Sequence, residues 1–282
     1  MTPYREPPDS RPAKLSHLLV VCLLGLPLLA GVWGCKGGSG PAAHAVCIAG
    51  STSVQPFAEK LAEIFMHEHP EMRVDVQGGG SSAGIHAVTQ GAANLGASSR
   101  ELIGPEKELI EVPIAYDGIA VIVNPANPLN DLSVAQLKEI FQGKLTNWRD
   151  FGLPSREIDV INREEGSGTR EAFEHLVMGK AEVSPAAMVQ DSNGAAREIV
   201  AGDPNAIAYI SAGLVDYRVK ALTIEGVAPT PENIKNHTYK LRRRFLLLCR
   251  EAPRGSSRQF VDFILSPPGQ QILEKEGLVG VQ

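Results

Sequence analysis

Short apolar runs alternate with segments of helical periodicity along most of the chain, a pattern typical of an α/β fold. The runs that predict strands lie at 44–50, 72–77, 93–99, 118–125, 158–163, 205–211, 221–227 and 242–249. Helices are predicted at 54–69, 134–141 and 256–266, and the last two open with the Ser-x-x-Gln pattern of a capping box. In the first of them, Phe57, Leu61 and Phe65 recur on one face. The pattern therefore predicts alternating strands and helices over the mature chain.

The order of these elements predicts two α/β lobes, with the chain crossing between them near 118–125 and again late in the sequence. We place the first lobe at 46–120 together with 242–282, and the second lobe at 121–241. The strand that ends at Pro125 is apolar throughout, as expected of a strand buried on both faces.

The first residues differ from the rest and resemble an export signal. An apolar run at 18–33 follows the basic residues Arg5, Arg11 and Lys14, and Gly34 and Cys35 come next. We interpret 1–34 as a signal peptide of the lipoprotein type, with Cys35 as the lipidated residue and 35–45 as a flexible tether. The alternative is an uncleaved membrane anchor, which Pro27 and the shortness of the run disfavour.

Composition limits the classes of ligand. The 282 residues carry a net charge of −5, so a nucleic-acid-binding function is not expected. The basic run at 240–245 leads directly into an apolar run and is interpreted as a strand flank. Cys47 and Cys249 could form a disulfide or stay as two buried thiols. No CxxC pair or His/Cys cluster indicates a metal, and no cofactor is expected.

Three segments share one design, in which a strand is followed by a Gly/Ser/Thr turn and a helix. They read AGSTSVQPF at 49–57, QGGGSSAGIHAV at 77–88 and NREEGSGTREAF at 162–173. Each could be no more than an ordinary helix N-cap. Together, however, they bring hydroxyls, free N–H groups and the guanidinium of Arg163 to strand ends that share a crevice in open α/β sheets. The sequence therefore predicts a site for a small oxyanion.

The same stretches, together with YDGIAVIVNPANPL, LKEIFQGKLTNW and NAIAYIS, resemble the phosphate-binding proteins (PstS type) of phosphate ABC importers. The resemblance covers residues 45–282. It implies a two-lobed periplasmic-binding-protein fold of type II, which closes on its ligand around crossover strands in a hinge motion.

The resemblance also implies specific ligand contacts. These are the Thr52 hydroxyl, the Ser53 backbone N–H, Ser81, Arg163, Ser167, Gly168 and Thr169. Glu165 falls where the family has an acid that pairs with the arginine, although it could also be a solvated carboxylate at a helix start.

One position departs from the family pattern. Well-known members have an aspartate that accepts the proton of hydrogen phosphate, and this chain has Ser99 there. A neutral acceptor should reject sulfate less firmly. Asp117 is the candidate replacement acceptor, although its Asp-Gly pair is equally consistent with a turn.

The resemblance further implies a monomeric extracytoplasmic protein that delivers inorganic phosphate to an ABC permease and ATPase complex. We expect it in the periplasm or on the outer face of the cell membrane, held only by a lipid on Cys35. One alternative is a binding protein for sulfate or molybdate. Another is a serine hydrolase that uses Ser82 in a G-x-S-x-G pattern, with His86, His175 or His237 as the base.

Overall fold

The computed structural model describes residues 44–281, and its secondary structure is that of an α/β protein. The strands are β1 Ala45–Gly50, β2 Arg73–Gly78, β3 Leu95–Ser98, β4 Ile110–Val123, β5 Asp131–Leu132, β6 Asp159–Arg163, β7 Met188–Gln190, β8 Ala206–Ser211, β9 Lys220–Ala221, β10 Thr223–Ile224 and β11 Arg242–Cys249. The α-helices are α1 Gln55–Glu68, α2 Ser81–Thr89, α3 Val134–Phe141, α4 Gly168–Phe173, α5 Asn193–Gly202, α6 Pro231–Lys235, α7 Gly255–Leu265 and α8 Pro267–Lys275.

One long strand links the two halves of the main sheet. The strands follow the order β2-β1-β3-β11-β4-β8-β6-β7, and β9 also pairs with β4. From Ile110 to Gly118, β4 pairs with β11, and from Ile119 to Val123 it pairs with β8. A single strand thus passes from the first lobe into the second, as the predicted fold class requires.

Each lobe has its own apolar core. The first core contains Phe57, Leu61 and Phe65 of α1, packed with Phe245 of β11 and Phe260 of α7. The second core draws almost wholly on the chain between Ile119 and Leu241, and Phe141, Phe173 and Tyr209 are at its centre. The rings of Phe173 and Tyr209 stack with centroids 4.0 Å apart. The exact lobe boundaries stay a prediction.

Two glycines let α2 approach the sheet closely. A Cβ on Gly84 of α2 would lie 2.5 Å from the Ala49 carbonyl oxygen, and one on Gly50 would lie 2.2 Å from that of Ala97. The backbones of α2, β1 and β3 therefore touch with no side chain between them. This contact brings the start of α2 next to the ends of β1 and β3.

Most of the predicted elements are confirmed, with differences at particular places. The capping box of α3 is formed by Ser133 and Gln136. The helix α7 starts at Gly255 without a side-chain cap, so the second predicted box is wrong. The crossover strand β4 begins at Ile110, eight residues before the predicted start at 118. The prediction missed the first half of the strand because that half is only partly buried and lacks a continuous apolar pattern. The segment 221–227 contains the end of β9, the short strand β10 and a turn rather than one strand.

The two cysteines of the described chain are both free thiols. Cys47 lies on β1 and Cys249 on β11, and β3 lies between these strands. Burial raises the pKa of each thiol. The sequence left open a disulfide or two separate thiols, and the structure has two separate thiols.

The predicted signal peptide, most of the tether and Cys35 lie outside the described residues. Within 44–281, none of the helices combines the length and the apolar character that a membrane crossing requires.

Candidate anion-binding site

Hydroxyl groups from both lobes meet where strands of the main sheet end. Thr52 and Ser53 follow β1, Ser81 starts α2 after β2, and Thr169 lies in α4 after β6. The hydroxyl oxygens of Ser53 and Thr169 are 2.7 Å apart, and this contact joins the two lobes. The convergence predicted from the three turns is therefore present in the structure.

Arg163 is the last residue of β6 and is 1% exposed. Its Nη2 donates to the Thr52 hydroxyl at 3.0 Å, across the cleft. Its Nε donates to the Gln190 carbonyl at 3.2 Å. Among the described residues, its Nη1 has no hydrogen-bond partner although it is buried. A buried guanidinium nitrogen without an acceptor is costly, so this atom needs an anionic or polar acceptor in the cleft.

Glu164, not Glu165, is the acid that pairs with Arg163. The Glu164 carboxylate accepts from Arg163 Nε and Nη2, each at 3.0 Å. The role predicted for Glu165 is therefore wrong. The strand ends at Arg163 and the chain turns at 165–166, which leaves Glu165 exposed. The resemblance assigned the pairing acid by position, and the turn at 165–166 directs Glu165 to solvent, so that the preceding residue pairs with Arg163.

Ser99 lies with Ser51 and Ser81 in a buried group of three hydroxyls. Ser51 Oγ accepts from the N–H groups of Ser53 and Val54 and donates to Ser99 Oγ at 2.9 Å. Ser81 Oγ accepts from the Ser99 N–H at 3.1 Å and lies 3.5 Å from Ser99 Oγ. Ser99 therefore lies beside Ser81, and its contact with the ligand stays a prediction.

Asp117 is fully engaged by protein groups. Its Oδ2 accepts from Arg243 Nε at 3.0 Å and Nη2 at 2.9 Å, and its Oδ1 accepts from the Ser211 hydroxyl at 2.9 Å. Burial raises the pKa of the Asp117 carboxyl, while the Arg243 charge opposes that rise. Together with a backbone hydrogen bond from Gly213, these donors occupy the acceptor sites of the carboxylate, so its predicted role as direct acceptor of a ligand proton is not supported.

Arg243 is a second buried cation at the site, and sequence analysis missed it. It lies within β11, in the strand predicted at 242–249, but the basic run was interpreted only as the flank of an apolar run and Arg243 was given no role. Its Nη2 donates to Ser53 Oγ at 3.2 Å, and its Nη1 donates to the Ser99 carbonyl at 3.3 Å. Arg243, on the crossover strand β11, thus contacts both the Ser53 hydroxyl and the backbone of Ser99.

Two of the predicted ligand contacts, the Ser53 N–H and the Ser167 hydroxyl, form hydrogen bonds within the protein instead. The Ser53 N–H donates to Ser51 Oγ at 3.2 Å, so the Ser53 hydroxyl, rather than the predicted N–H, contacts the cleft. Ser167 is the N-cap of α4, and its hydroxyl accepts from the Arg170 N–H at 3.3 Å. Gly168 and Thr169 open this helix and are both buried.

Asn193, the first residue of α5, also escaped sequence analysis. Its Nδ2 donates to Ser53 Oγ at 3.0 Å and to Thr52 Oγ1 at 3.4 Å, while its Oδ1 accepts from the Ser211 N–H at 3.1 Å. The residue is 1% exposed. A single amide therefore contacts both hydroxyls of the β1–α1 turn, and only its position next to Ser192, the N-cap of α5, hinted at a special role.

An ion-pair clamp, formed by Arg100 with Glu106 and Glu171, links the two lobes beside the hydroxyls of the site. Arg100 follows β3 in the first lobe, and its Nε lies 2.7 Å from Oε2 of Glu171 on α4 in the second lobe. Glu106 holds the other side of the guanidinium with Oε2 2.6 Å from Nη1. Burial would lower the pKa of Arg100, but these two carboxylates raise it. Both acids thus keep the guanidinium charged and in place.

Ser82 belongs to the clamp. Its hydroxyl donates to Glu171 Oε1 at 3.1 Å and accepts from Arg100 Nη2 at 3.2 Å. In the described part of the chain, no histidine hydrogen-bonds to Ser82, so the nucleophile–base contact of a hydrolase is not formed there. Residues 44–281 also contain no cluster of His, Cys, Asp and Glu side chains that could hold a metal ion.

Comparison with known proteins gives a consistent result. The family model described as PBP superfamily domain matches residues 37–268. The Phosphate-binding protein PstS of Bacillus subtilis is 32% identical over 252 residues, covering 86% of this chain and 83% of that protein. The protein of the same name from Borreliella burgdorferi is 28% identical, covering 84% of this chain and 90% of that protein.

Solved structures agree in fold. A putative phosphate ABC transporter substrate-binding protein from Clostridium perfringens, with bound phosphate, is 44% identical and superposes with a TM-score of 0.82. It matches over 84% of this chain and 100% of its own length. An ABC-type phosphate transport receptor from Vibrio cholerae is 37% identical with a TM-score of 0.70, over 83% of this chain and 99% of that receptor.

Proposed function

We propose that this chain, which belongs to the PBP superfamily and within it to the PstS-type phosphate-binding proteins, captures inorganic phosphate and delivers it to an ABC import permease. The observation that carries the proposal is the buried Arg163 Nη1, which lacks a protein partner among the described residues. Around the same cleft, Thr52, Ser81 and Thr169 bring hydroxyls from three separate turns. A guanidinium with a free donor and several neutral dipoles suit a tetrahedral oxyanion.

The mechanism is capture without a chemical step. Phosphate enters between the lobes, Arg163 and the hydroxyls bind its oxygens, and the lobes close around the crossover strands β4 and β11. The interlobe contacts Ser53–Thr169 at 2.7 Å and Arg100–Glu171 at 2.7 Å support a closed arrangement of this kind. The closed form then docks on the permease, whose ATPase drives release and import.

We further propose an extracytoplasmic location, a monomeric state and a lipid on Cys35 that tethers the protein to the membrane. The relatives carry the names of phosphate-binding and phosphate-transport proteins, which supports the location. Labelling with a radioactive fatty acid tests the anchor, since Cys35→Ala should abolish incorporation.

Thermal-shift measurements with phosphate, arsenate, sulfate and molybdate test the ligand. We expect phosphate to raise the melting temperature of the soluble protein at lower concentration than sulfate or molybdate. A larger shift with sulfate or molybdate would contradict phosphate as the ligand. A fluorophosphonate probe tests the hydrolase alternative, because labelling of Ser82 would indicate an enzyme.

A further inference from the structure

A pocket of about 370 Å³ lies between the lobes, and the Arg100–Glu171 ion pair forms part of its wall. Other lining residues are Glu101 and Ile103 of the first lobe, Ala172, His175 and Leu176 of the second lobe, and Arg242 of β11. We call this cavity the side pocket. Its volume is in the range of small-molecule sites in proteins, and none of the hydroxyls of the anion site lines it.

Arg242 brings an uncompensated positive charge to the side pocket. Its Nη1 donates to His237 Nδ1 at 2.6 Å, and its guanidinium carbon lies 4.8 Å from the centre of the Tyr116 ring. Its Nε is buried, and no residue of the described chain accepts a hydrogen bond from it. Because a buried guanidinium nitrogen without an acceptor is costly, an anionic group next to Arg242 would be stabilised there.

The other acidic and basic side chains of the side pocket already have partners. Glu101 accepts from Arg244 Nε at 2.8 Å, and Glu171 lies 2.7 Å from Arg100 Nε. Arg243, which also lines the pocket, is held by its buried carboxylate partner at 2.9 Å. These charges compensate one another locally, so the electrostatic preference of the pocket is set by Arg242 and favours an anion.

The accessible wall of the side pocket is mainly apolar. Ile103 is 60% exposed beside it, which is unusual for a large apolar side chain. On the opposite lobe, Ala172 and Leu176 are four residues apart and share one helix face. Leu176 lies in the π-helical turn Glu174–Met178, and such turns are frequent at functional sites. A ligand with an alkyl chain could therefore bury apolar surface here.

We infer that the side pocket binds a small organic anion, a short-chain alkyl carboxylate, and that its binding stabilises the closed form and so strengthens phosphate binding. The carboxylate contacts Arg242, and the alkyl chain lies along Ile103, Ala172 and Leu176. Both lobes and β11 contribute to the wall, so the pocket is complete only when the lobes are closed. Two ligands that both prefer one form raise each other's affinity, and this coupling rests on the proposed function.

Helix α4 connects the side pocket to the anion site. Thr169, in its first turn, contacts the Ser53 hydroxyl of the first lobe at 2.7 Å. Glu171 pairs with Arg100, and the next residue, Ala172, lines the side pocket. Phosphate in one site and a carboxylate in the other therefore hold the same helix against the first lobe.

Calorimetric titration with phosphate, in the presence and absence of hexanoate, tests the coupling. At equal ionic strength, we expect hexanoate to lower the Kd for phosphate by at least about threefold. Acetate, which lacks the apolar chain, should have no such effect. Arg242→Gln should bind phosphate as the unaltered protein does but lose the effect of hexanoate. Arg258→Gln is the matched control and should keep that effect, because Arg258 pairs with Asp262 within α7.

Thermal unfolding with hexanoate alone measures the side pocket without phosphate and checks the folding of each variant. Hexanoate should raise the melting temperature of the unaltered protein but not that of Arg242→Gln. If Arg242→Gln does not fold, Ile103→Ser replaces it, since Ile103 is exposed.

An unchanged or higher Kd for phosphate in hexanoate would overturn the inference, and so would an equal effect of acetate or an equal effect of hexanoate on Arg242→Gln. If the unaltered protein binds no phosphate in the absence of hexanoate, the proposed function fails instead. The melting temperatures then still decide whether the side pocket binds hexanoate.

Discussion

Gly168 of α4 lies directly against Ser81 of α2, so that a Cβ on Gly168 would be 2.1 Å from the Ser81 hydroxyl oxygen. The same Cβ would be 2.7 Å from Ser99 Oγ. These residues belong to different lobes, and only a residue without a side chain lets the lobes come this close. The glycine is thus required by the closed arrangement rather than by the conformation of α4.

We expect Gly168→Ala to weaken phosphate binding by at least about tenfold, because the added methyl group holds the lobes apart. Stability should not fall, since alanine is the better helix former. Calorimetry and thermal unfolding measure the two effects. Gly194→Ala in α5 is the control, because a Cβ there would meet only Ser192 Oγ, at 4.0 Å. Equal affinity in Gly168→Ala and the unaltered protein would show that closure tolerates the methyl group.

Arg163→Ala should reduce the free energy of phosphate binding by at least about 2 kcal/mol, the scale of a lost hydrogen bond to a charged group. The physical reason is the loss of Nη1, the buried donor with no protein partner among the described residues. Arg218→Ala is a suitable control, since Arg218 pairs with Asp216 and Glu198 away from the cleft. Unchanged affinity in Arg163→Ala would remove this arginine from the site.

Asp117→Asn should mainly affect stability. The substitution leaves the buried Arg243 guanidinium without its counter-charge, and breaking a buried ion pair costs about 3 to 5 kcal/mol. Urea unfolding measures this loss, and a competition titration measures phosphate against sulfate. If selectivity falls while stability is unchanged, Asp117 is the proton acceptor after all, as the sequence suggested.

Glu171→Gln should raise the Kd for phosphate about three- to tenfold, because it removes the carboxylate charge that Arg100 contacts across the cleft. Glu174→Gln is the neighbouring control. Glu174 pairs with Arg170 at 2.8 Å within the second lobe, and so its loss should not affect closing. An equal effect of the two variants on binding would mean that the clamp has no special part in closure.

The sequence was sufficient to predict the parts of the site that depend on local structure. A strand followed by a Gly/Ser turn and a helix has a recognisable pattern, and it indicated the turns of Thr52, Ser81 and Thr169, which the structure brings together. Arg163 was found in the same way, because it stands at the end of a strand in one of those turns. These residues are placed by the element that carries them.

The residues that sequence analysis missed are placed by distant parts of the chain. Arg243 contacts Ser53 across 190 residues of sequence, and Asn193 contacts it across 140. Asn193 stands next to the N-cap of α5 in a segment that was not recognised as part of the design, and Arg243 was hidden in a basic run. Glu164 was missed for another reason, because the resemblance assigned the acid that pairs with Arg163 to Glu165, one residue further along the chain.

The pairing of each cleft arginine with a carboxylate affects how quickly the ligand arrives. Arg163 faces Glu164, Arg243 faces Asp117, and Arg100 faces Glu106 and Glu171, so the positive charges are compensated locally. The cleft then exerts little long-range attraction, and the net charge of −5 opposes an approaching anion. The rate of encounter should therefore not slow when added salt shortens the screening length, and selectivity depends on contacts made after arrival.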